Sequence, residues 1–305
     1  MSQKVLITGA SGLIGTRLTE MLLQKGYQVV HLGRAPRQKP VRCFAWDIDA
    51  GTLDMRAFEG VQSIIHLAGA GIADARWTPA RKKEILTSRT QSTKLLFNAL
   101  NTAKHEVKNF ISASAIGYYG FSNRAEPLQE NSDPGSDFLA SVVKAWEAEI
   151  NSIERLAIRV AVIRIGIVLS AQGGALKEMA KPIRWGVGAP LGTGNQWMSW
   201  IHLEDLCRLF CFALERDNTA GTYNAVAPYP VTNRVLTRAI AHQLKKPLWL
   251  PAVPGFVLRA ILGEMADMVL QGSNVSSLKI ESEGFEFKFP KLEMALADLL
   301  ANSGK

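Results

Sequence analysis

The sequence predicts an α/β fold, a doubly wound parallel sheet with a smaller, interleaved C-terminal lobe. Three observations support this prediction. Short apolar runs rich in β-branched residues alternate with helix-like stretches, a glycine-rich turn follows the first run, and the alternation stops near residue 170. Because parallel strands are joined by crossover helices, this order of segments is typical of a doubly wound sheet.

The apolar runs define the sheet. They predict strands over residues 3–8, 27–33, 62–67, 109–114, 160–167 and 222–226. Between the first two strands, Ile14, Leu18 and Leu22 fall on one face of a helix that Gly26 ends. A second helix is predicted over residues 78–100, where a threonine–proline pair provides an N-cap and a first-turn proline.

The end of the alternation predicts a second lobe. We assign residues 1–170 to the sheet domain, with residues 200–227 returning to it. Residues 171–199 and 228–305 are then a smaller substrate or cap lobe. Late in this lobe the segment "GFEFKFP" alternates apolar and polar residues and predicts one more strand-like piece.

Composition excludes several protein classes. Of the 305 residues 47% are hydrophobic and 20% charged, which is typical of a globular protein and not of a disordered chain. Cys43, Cys207 and Cys211 form no CxxC pair, so neither a disulfide framework nor a metal site is predicted. The first residues lack a signal-peptide pattern, and charges interrupt the apolar stretch 248–270. We therefore expect a cytoplasmic protein without a membrane segment.

The net charge of +8 bears on the choice of partner. Such an excess attracts nucleic acid or anionic lipid only if it gathers on one face of the molecule. The densest basic clusters, residues 34–39 and 81–83, are short. We therefore expect a small-molecule substrate, with no nucleic acid and no membrane as partner.

The segment "VLITGASGLIG" gives the first functional signal, because a strand, a glycine turn and a helix follow in that order. This order is that of a Rossmann-type dinucleotide-binding domain. Gly9 permits the tight turn, Gly12 lets the backbone approach the pyrophosphate, and Gly15 lets helix and strand pack closely. Free N–H groups at the N-terminus of the helix attract phosphates. The cofactor-binding residues predicted here are Thr8, Gly9, Ser11, Gly12, Leu13, Ile14 and Gly15.

The end of the second strand distinguishes the two dinucleotides. A carboxylate there would bind the 2′-hydroxyl of NAD, but the sequence reads "VVHLGRAPR". Arg34 and Arg37 suit a 2′-phosphate, because a guanidinium donates two parallel hydrogen bonds, so NADP(H) is the predicted cofactor.

Among further candidates for cofactor binding, Asp47 is either an adenine neighbour or a structural cap. Arg89 either reaches the cofactor or pairs with a carboxylate. The following strand is expected to end beneath the cofactor at Leu67, Ala68 and Gly69.

Together these residues resemble the extended short-chain dehydrogenase/reductases, and within them an epimerase-like subfamily with its own C-terminal domain. The matching segments are "TGASGLIG", "HLAGAGIADARWTPARKKEILTSRTQSTKLL", "SASAIGYYG", "RIGIVLS", "WMSWIHLEDL" and "GFEFKFPKLEMAL". The resemblance implies a catalytic serine, tyrosine and lysine. Ser114 matches the serine position and Lys144 the lysine position, whereas Ala140 stands where the tyrosine is expected.

An alanine cannot transfer a proton, so two interpretations stay open. In the first, Tyr118 or Tyr119 takes over proton transfer, and the protein is an NADP(H)-binding, epimerase-like oxidoreductase of a hydroxylated substrate, with nucleotide-linked compounds as one candidate class. In the second, it is a non-catalytic NADP(H)-binding sensor or regulatory module. Lys144 can bind the cofactor ribose in either case. Because family members often pair through two long helices, the resemblance allows a monomer or a homodimer.

Overall fold

The computed structural model describes residues 3–122 and 125–301 of the chain. The strands are β1 (Lys4–Thr8), β2 (Gln28–Gly33), β3 (Cys43–Asp47), β4 (Thr52–Leu53), β5 (Ser63–His66), β6 (Asn109–Ala115), β7 (Arg159–Ile165), β8 (Ile167–Leu169), β9 (Trp197–Met198), β10 (Trp200–His202), β11 (Gly221–Ala225) and β12 (Val231–Thr232). The helices are α1 (Leu13–Gln24), α2 (Pro79–Thr102), α3 (Phe138–Ser152), α4 (Ala175–Arg184), α5 (Leu203–Glu215), α6 (Asn233–Gln243), α7 (Gly255–Leu262), α8 (Asp267–Leu270), α9 (Leu278–Ser282) and α10 (Leu292–Leu300).

The main sheet has eight strands among the described residues, in the order β11-β7-β6-β5-β1-β2-β3-β4. Neighbours from β11 to β3 are parallel, and β4 pairs antiparallel with β3. From β1 the chain first builds outward through β2 and β3, and then returns to build β5, β6 and β7 on the other side. The carboxyl ends of β1 and β5 therefore flank the switch point, where open α/β sheets bind their ligands.

These observations confirm the predicted fold class. Each of the six predicted strands is present, with its ends within two residues of the prediction. α1 buries Leu18 and Leu22 as its periodicity predicts, and the Thr78 hydroxyl caps α2 by accepting a hydrogen bond from the Arg81 amide. α1 packs beside α5 and α2 beside α3, so helices cover both faces of the sheet. Within residues 3–122 and 125–301, no helix has the length and apolar character needed to cross a bilayer.

A second hydrophobic cluster lies apart from the core of the sheet. Leu176 of α4, Leu236 of α6 and Leu296 of α10 pack in it with Trp200, whose side chain is fully buried. The short pairs β8–β10 and β9–β12 lie beside it. β11 pairs with β7, which returns the chain to the main sheet after β10 and α5. The division into a sheet domain and a smaller lobe stays a prediction at the boundaries given above.

The prediction of a strand-like piece at "GFEFKFP" is wrong, because residues 284–290 form no strand. The buried carboxylate of Asp205 accepts hydrogen bonds from the backbone amides of Lys288 and Phe289, each at 2.8 Å. Phe285 and Phe289 are buried in two different hydrophobic clusters. The alternating pattern therefore reflects two buried phenylalanine rings and two backbone hydrogen bonds to Asp205, and not pairing with a neighbouring strand.

Candidate active site

The glycine turn between β1 and α1 has the geometry that phosphate binding requires. Gly9 has a φ of +66°, and a Cβ on it would lie 2.7 Å from the carbonyl carbon of Leu67. A Cβ on Gly15 would lie 2.5 Å from the Gly9 oxygen. Gly12 is the N-cap residue of α1, and the first turn of α1 contains no acidic residue. Ser11 and Gly12 are exposed, so the amides of this turn and the helix N-terminus can face an anionic ligand.

Thr8 lies beneath this turn and does not face a ligand. Its side chain is fully buried, and its hydroxyl lies 2.7 Å from Nδ1 of His66 while it accepts hydrogen bonds from the amides of Leu67 and Ala68. Burial lowers the pKa of His66 to about 3, so the ring is neutral and its Nδ1 accepts the Thr8 proton. The predicted contact between Thr8 and the cofactor is therefore replaced by a structural one, which joins the ends of β1 and β5.

A hydrogen-bond chain connects Arg37, after β2, to the glycine turn. Nη2 of Arg37 lies 3.3 Å from Nδ1 of His31, and Nε2 of His31 lies 3.0 Å from the Thr19 hydroxyl, which donates to the Gly15 carbonyl at 2.7 Å. Burial and the neighbouring Arg37 lower the pKa of His31 to about 4, so its neutral ring accepts at Nδ1 and donates at Nε2. Arg34 is exposed beside this chain. Two guanidinium groups thus follow β2, where a 2′-phosphate would lie.

We expect His31→Phe to weaken NADPH binding about three- to tenfold and to leave NADH binding unchanged, because Arg37 loses a hydrogen bond of about 1 kcal/mol. Fluorescence titration of both nucleotides checks this. Thr19→Val is the matched control, since it removes the other bond of His31 without touching Arg37. Equal weakening of both nucleotides by His31→Phe would show that His31 acts on the fold and not on the phosphate site.

Two further predicted cofactor residues have structural partners. Oδ1 of Asp47 accepts hydrogen bonds from the amides of Asp49 and Ala50, at 3.0 and 2.9 Å, which is the structural-cap alternative. Arg89 donates to the carbonyl oxygens of Ala70 and Ile85, at 3.0 and 2.9 Å. Burial, with a contribution from another arginine, lowers the pKa of Arg89 to about 10, so it stays charged at neutral pH.

The remaining predicted cofactor contacts, Leu67, Ala68 and Gly69, lie in the loop after β5 that Arg89 supports. A Cβ on Gly69 would lie 3.2 Å from the Arg89 guanidinium carbon, which itself lies 5.3 Å from the Trp146 ring. Leu67 and Ala68 follow β5 directly and are held by Thr8. Arg89 therefore braces the backbone of this loop, and neither of its partners is a carboxylate.

Ser114 belongs to a buried polar cluster behind the carboxyl edge of the sheet. Its hydroxyl donates to Glu147 of α3 at 2.6 Å. Glu147 also accepts two hydrogen bonds from Arg164 of β7, at 2.8 and 2.7 Å, and all three side chains are buried. Although burial alone would lower it, this pairing raises the pKa of Arg164 above its usual value. Because the Ser114 proton is committed to Glu147, we do not assign Ser114 to catalysis.

The two tyrosines after β6 differ sharply in surroundings. The Tyr119 hydroxyl donates to Oδ1 of Asn224 at 2.7 Å and accepts from Arg164 at 3.0 Å, and burial raises the pKa of Tyr119 to about 12. Tyr118 is half-buried, with its ring centroid 3.4 Å from the Arg164 guanidinium carbon. Among the described residues, the Tyr118 hydroxyl has no hydrogen-bond partner. Of the two candidates, Tyr118 is therefore the one with a phenol available to a ligand.

Lys144 lies on the solvent side of α3. A Cβ on Gly117, in the turn after β6, would contact Leu139 at 3.5 Å and Val143 at 3.8 Å. These two residues are four apart and share one helical face. Lys144, one position after Val143, is rotated by about 100° and is exposed, while Ala140 is fully buried. The helix thus presents Leu139 and Val143, and not Ala140 and Lys144, to the Gly117 turn.

Two other observations concern His202 and the side chains that could bind a metal ion. Nδ1 of His202 accepts a hydrogen bond from the Glu204 amide at 3.0 Å and caps α5, so this histidine has a structural role. Within residues 3–122 and 125–301, no group of three or more His, Cys, Asp and Glu side chains is arranged to hold a metal ion.

Comparisons with known proteins agree with this geometry. The model of the NAD dependent epimerase/dehydratase family matches residues 5–226, and that of a domain of unknown function (DUF1731) matches residues 253–299. The chain is 37% identical over 303 residues to an Arabidopsis thaliana protein named epimerase family protein SDR39U1 homolog, chloroplastic, with 97% of this chain and 86% of that protein covered.

Two further relatives align with this chain over nearly their whole length. Bacillus subtilis epimerase family protein YfhF is 34% identical over 301 residues, which is 98% of each chain. The crystal structure of human epimerase family protein SDR39U1 with NADPH superposes with a TM-score of 0.88 at 32% identity and covers 98% of this chain and 100% of that one. The similarity therefore extends over both the sheet and the C-terminal lobe.

Proposed function

This chain belongs to the NAD dependent epimerase/dehydratase family, and from that membership we propose that it is an NADP(H)-dependent oxidoreductase of the epimerase type. Its substrate would be a hydroxylated small molecule, with nucleotide-linked sugars as one candidate class. The observation that carries the proposal is the phosphate cradle at Gly9, Gly12 and Gly15, together with Arg34 and Arg37 after β2.

The residues present fit NADP(H). The Gly9 and Gly15 positions leave no room for a Cβ, and an uncapped helix N-terminus points at the same turn. Ser11 and the first backbone amides of α1 would hold the pyrophosphate, and Arg34 and Arg37 the 2′-phosphate. The human relative, crystallised with NADPH, supports the same choice of dinucleotide. When bound, NADP(H) supplies or accepts the hydride.

The chain's own contribution to the chemistry would come from Tyr118. Its ring is fixed over the Arg164 guanidinium, and its hydroxyl is free of partners among the described residues. A phenol held in this way can donate a proton to a carbonyl oxygen and become a phenolate, and in the reverse direction the phenolate removes a proton from a hydroxyl. Ser114 and Tyr119 would contribute little to turnover directly, since Ser114 donates to Glu147, which holds Arg164, and the Tyr119 hydroxyl accepts from Arg164 itself.

A second function is favoured by a specific observation. Ala140, where the family tyrosine is expected, is fully buried, and Leu139 and Val143 occupy the face of α3 toward the Gly117 turn. A site without a tyrosine at position 140 would still bind NADP(H), so the chain could act as a sensor or regulatory module. Oxidation of bound NADPH by a carbonyl substrate, or reduction of bound NADP+ by a hydroxylated one, would exclude this alternative.

We expect Arg34→Ala and Arg37→Ala each to weaken NADPH binding about 10- to 100-fold, and NADH binding little, since a charged hydrogen bond contributes about 1.5–3 kcal/mol. Fluorescence titration measures both affinities. Arg155→Ala is the matched control, because Arg155 is exposed on a short helical turn after α3. If wild type binds neither nucleotide, the proposed function fails.

Two predictions from the sequence stay predictions. One is the cytoplasmic location, and the other is the choice between monomer and homodimer.

A further inference from the structure

Two tryptophans and a valine form an exposed apolar patch on the C-terminal side of the molecule. Trp185 is 80% exposed, Val187 50% and Trp249 68%. The Trp249 indole N–H donates to the carbonyl oxygen of Gly186 at 2.9 Å, so the segment after α6 is joined to the turn after α4. We call these three side chains the tryptophan corner. Large apolar side chains grouped in this way on a surface indicate an interaction site.

The tryptophan corner is held in place by the core beneath it. Ile183 of α4 and Ile240 of α6 pack in the same hydrophobic cluster, which brings the carboxyl ends of the two helices together. Gly186 has a φ of +77° and its amide donates to the Ile183 carbonyl at 3.0 Å, which turns the chain sharply after α4. Trp185 and Val187 therefore flank a tight turn and project outward, where they cannot join the core.

The charges around the tryptophan corner are almost all positive. Lys181 and Arg184 are exposed on the last turns of α4, and Lys245 and Lys246 are exposed just after α6. Glu178 pairs with Lys181 at 2.7 Å and is the acidic residue on α4. From residue 218 to residue 263 the chain contains no Asp or Glu at all. The hydrogen bond between Trp249 and Gly186 thus brings together two basic segments that are distant in the sequence, and the expectation that no membrane is a partner is revised on this ground.

We propose that the tryptophan corner and its lysines and arginine bind the surface of an anionic lipid bilayer. Indole rings prefer the headgroup region, where their apolar body is buried and the N–H stays polar. Lys and Arg side chains beside them add attraction to anionic headgroups. No described helix is suited to span a bilayer, so the protein would lie on the surface reversibly. This site is separate from the cofactor cradle and does not depend on the proposed function.

Flotation of the full chain with vesicles tests the proposal. We expect binding to vesicles of phosphatidylcholine mixed with phosphatidylglycerol, little binding to phosphatidylcholine alone, and weakening with added salt. The double variants Trp185→Ala/Trp249→Ala and Lys245→Gln/Lys246→Gln should each weaken binding about tenfold or more, since each such group contributes a factor of a few. NADPH titration of the variants confirms that they are folded.

Matched controls come from another part of the surface. Leu278→Ala removes an exposed apolar side chain, and Lys83→Gln/Lys94→Gln removes two exposed lysines of α2. Both should bind vesicles as the wild type does. The proposal is overturned if wild type binds neither vesicle type or both equally, or if the tryptophan variant binds as wild type does. It is also overturned if that variant changes only the molecular mass in solution, which would make the corner an interface between copies of this chain.

Discussion

The substitution Tyr118→Phe is expected to lower the rate of hydride transfer about 10²–10⁴-fold and to leave the Kd for NADPH unchanged. The reason is that Phe keeps the ring over the Arg164 guanidinium, at the 3.4 Å distance of the wild type, and removes just the proton-bearing oxygen. The measurement is NADPH oxidation with the best carbonyl substrate from a screen, together with NADPH titration. A rate unchanged by Tyr118→Phe would exclude Tyr118 as the acid or base.

Tyr119→Phe and Ser114→Ala are the matched controls for this experiment. Tyr119 bonds to Asn224 and Arg164, and Ser114 bonds to Glu147, so both variants should lose stability, about 1 kcal/mol each, while turnover changes little. A large loss of turnover in Tyr119→Phe with normal stability would reverse the assignment of the two tyrosines. If no substrate oxidises NADPH in the wild type, the sensor interpretation is favoured.

The glycine turn and the arginines after β2 can be predicted from the sequence because they depend on local backbone geometry, and their contacts with a cofactor stay predictions. Gly9, Gly12 and Gly15 are close in sequence, and the reason for each glycine is a contact within the same strand–turn–helix unit or with the neighbouring strand. Arg34 and Arg37 follow a strand whose end was visible as an apolar run. The strand–turn–helix order is therefore visible in the sequence, although the Leu67 carbonyl that excludes a Cβ on Gly9 comes from the loop after β5.

The buried cluster could not be predicted in the same way, because its members are far apart in the chain. Ser114, Glu147 and Arg164 come from β6, α3 and β7, and the sequence does not say which carboxylate meets which arginine. A signal did exist. Glu147 stands on the apolar face of α3, four residues after Val143, where a carboxylate needs a buried partner. Arg164 gives the second signal, because a charged side chain within an apolar strand also needs a buried partner.

The contacts of α3 illustrate a different limit, while cofactor binding by Lys144 stays a prediction. Spacing within a motif fixes which residues share a face, but not which face meets the ligand. A register displaced by one residue along α3 exchanges Ala140 and Lys144 for Leu139 and Val143, because each step along a helix turns the side chain by about 100°. The depth of the helix against the Gly117 turn decides between the registers, and that depth is set by packing of α3 on α2 and on the sheet.

Glu147→Gln is expected to lower the free energy of unfolding by about 3–5 kcal/mol, the usual cost of leaving a buried charge without its partner. The volume of the side chain is kept, but Arg164 then lies buried with an uncharged amide in place of the carboxylate that accepts two of its hydrogen bonds. Chemical denaturation of the full chain, followed by circular dichroism, measures the change. Glu149→Gln is the matched control, because Glu149 lies on the same helix, is more exposed and should change stability little.

A double variant then separates the charge from the packing. In Glu147→Leu/Arg164→Met no unpaired charge is left, so much of the stability lost in Glu147→Gln should return. The NADPH affinity should stay near wild type, but Tyr118 would lose the cation beneath its ring and turnover should fall. Recovery of stability without recovery of turnover is the result expected if this cluster serves to position Tyr118. Recovery of both would show that the buried charges only maintain the fold.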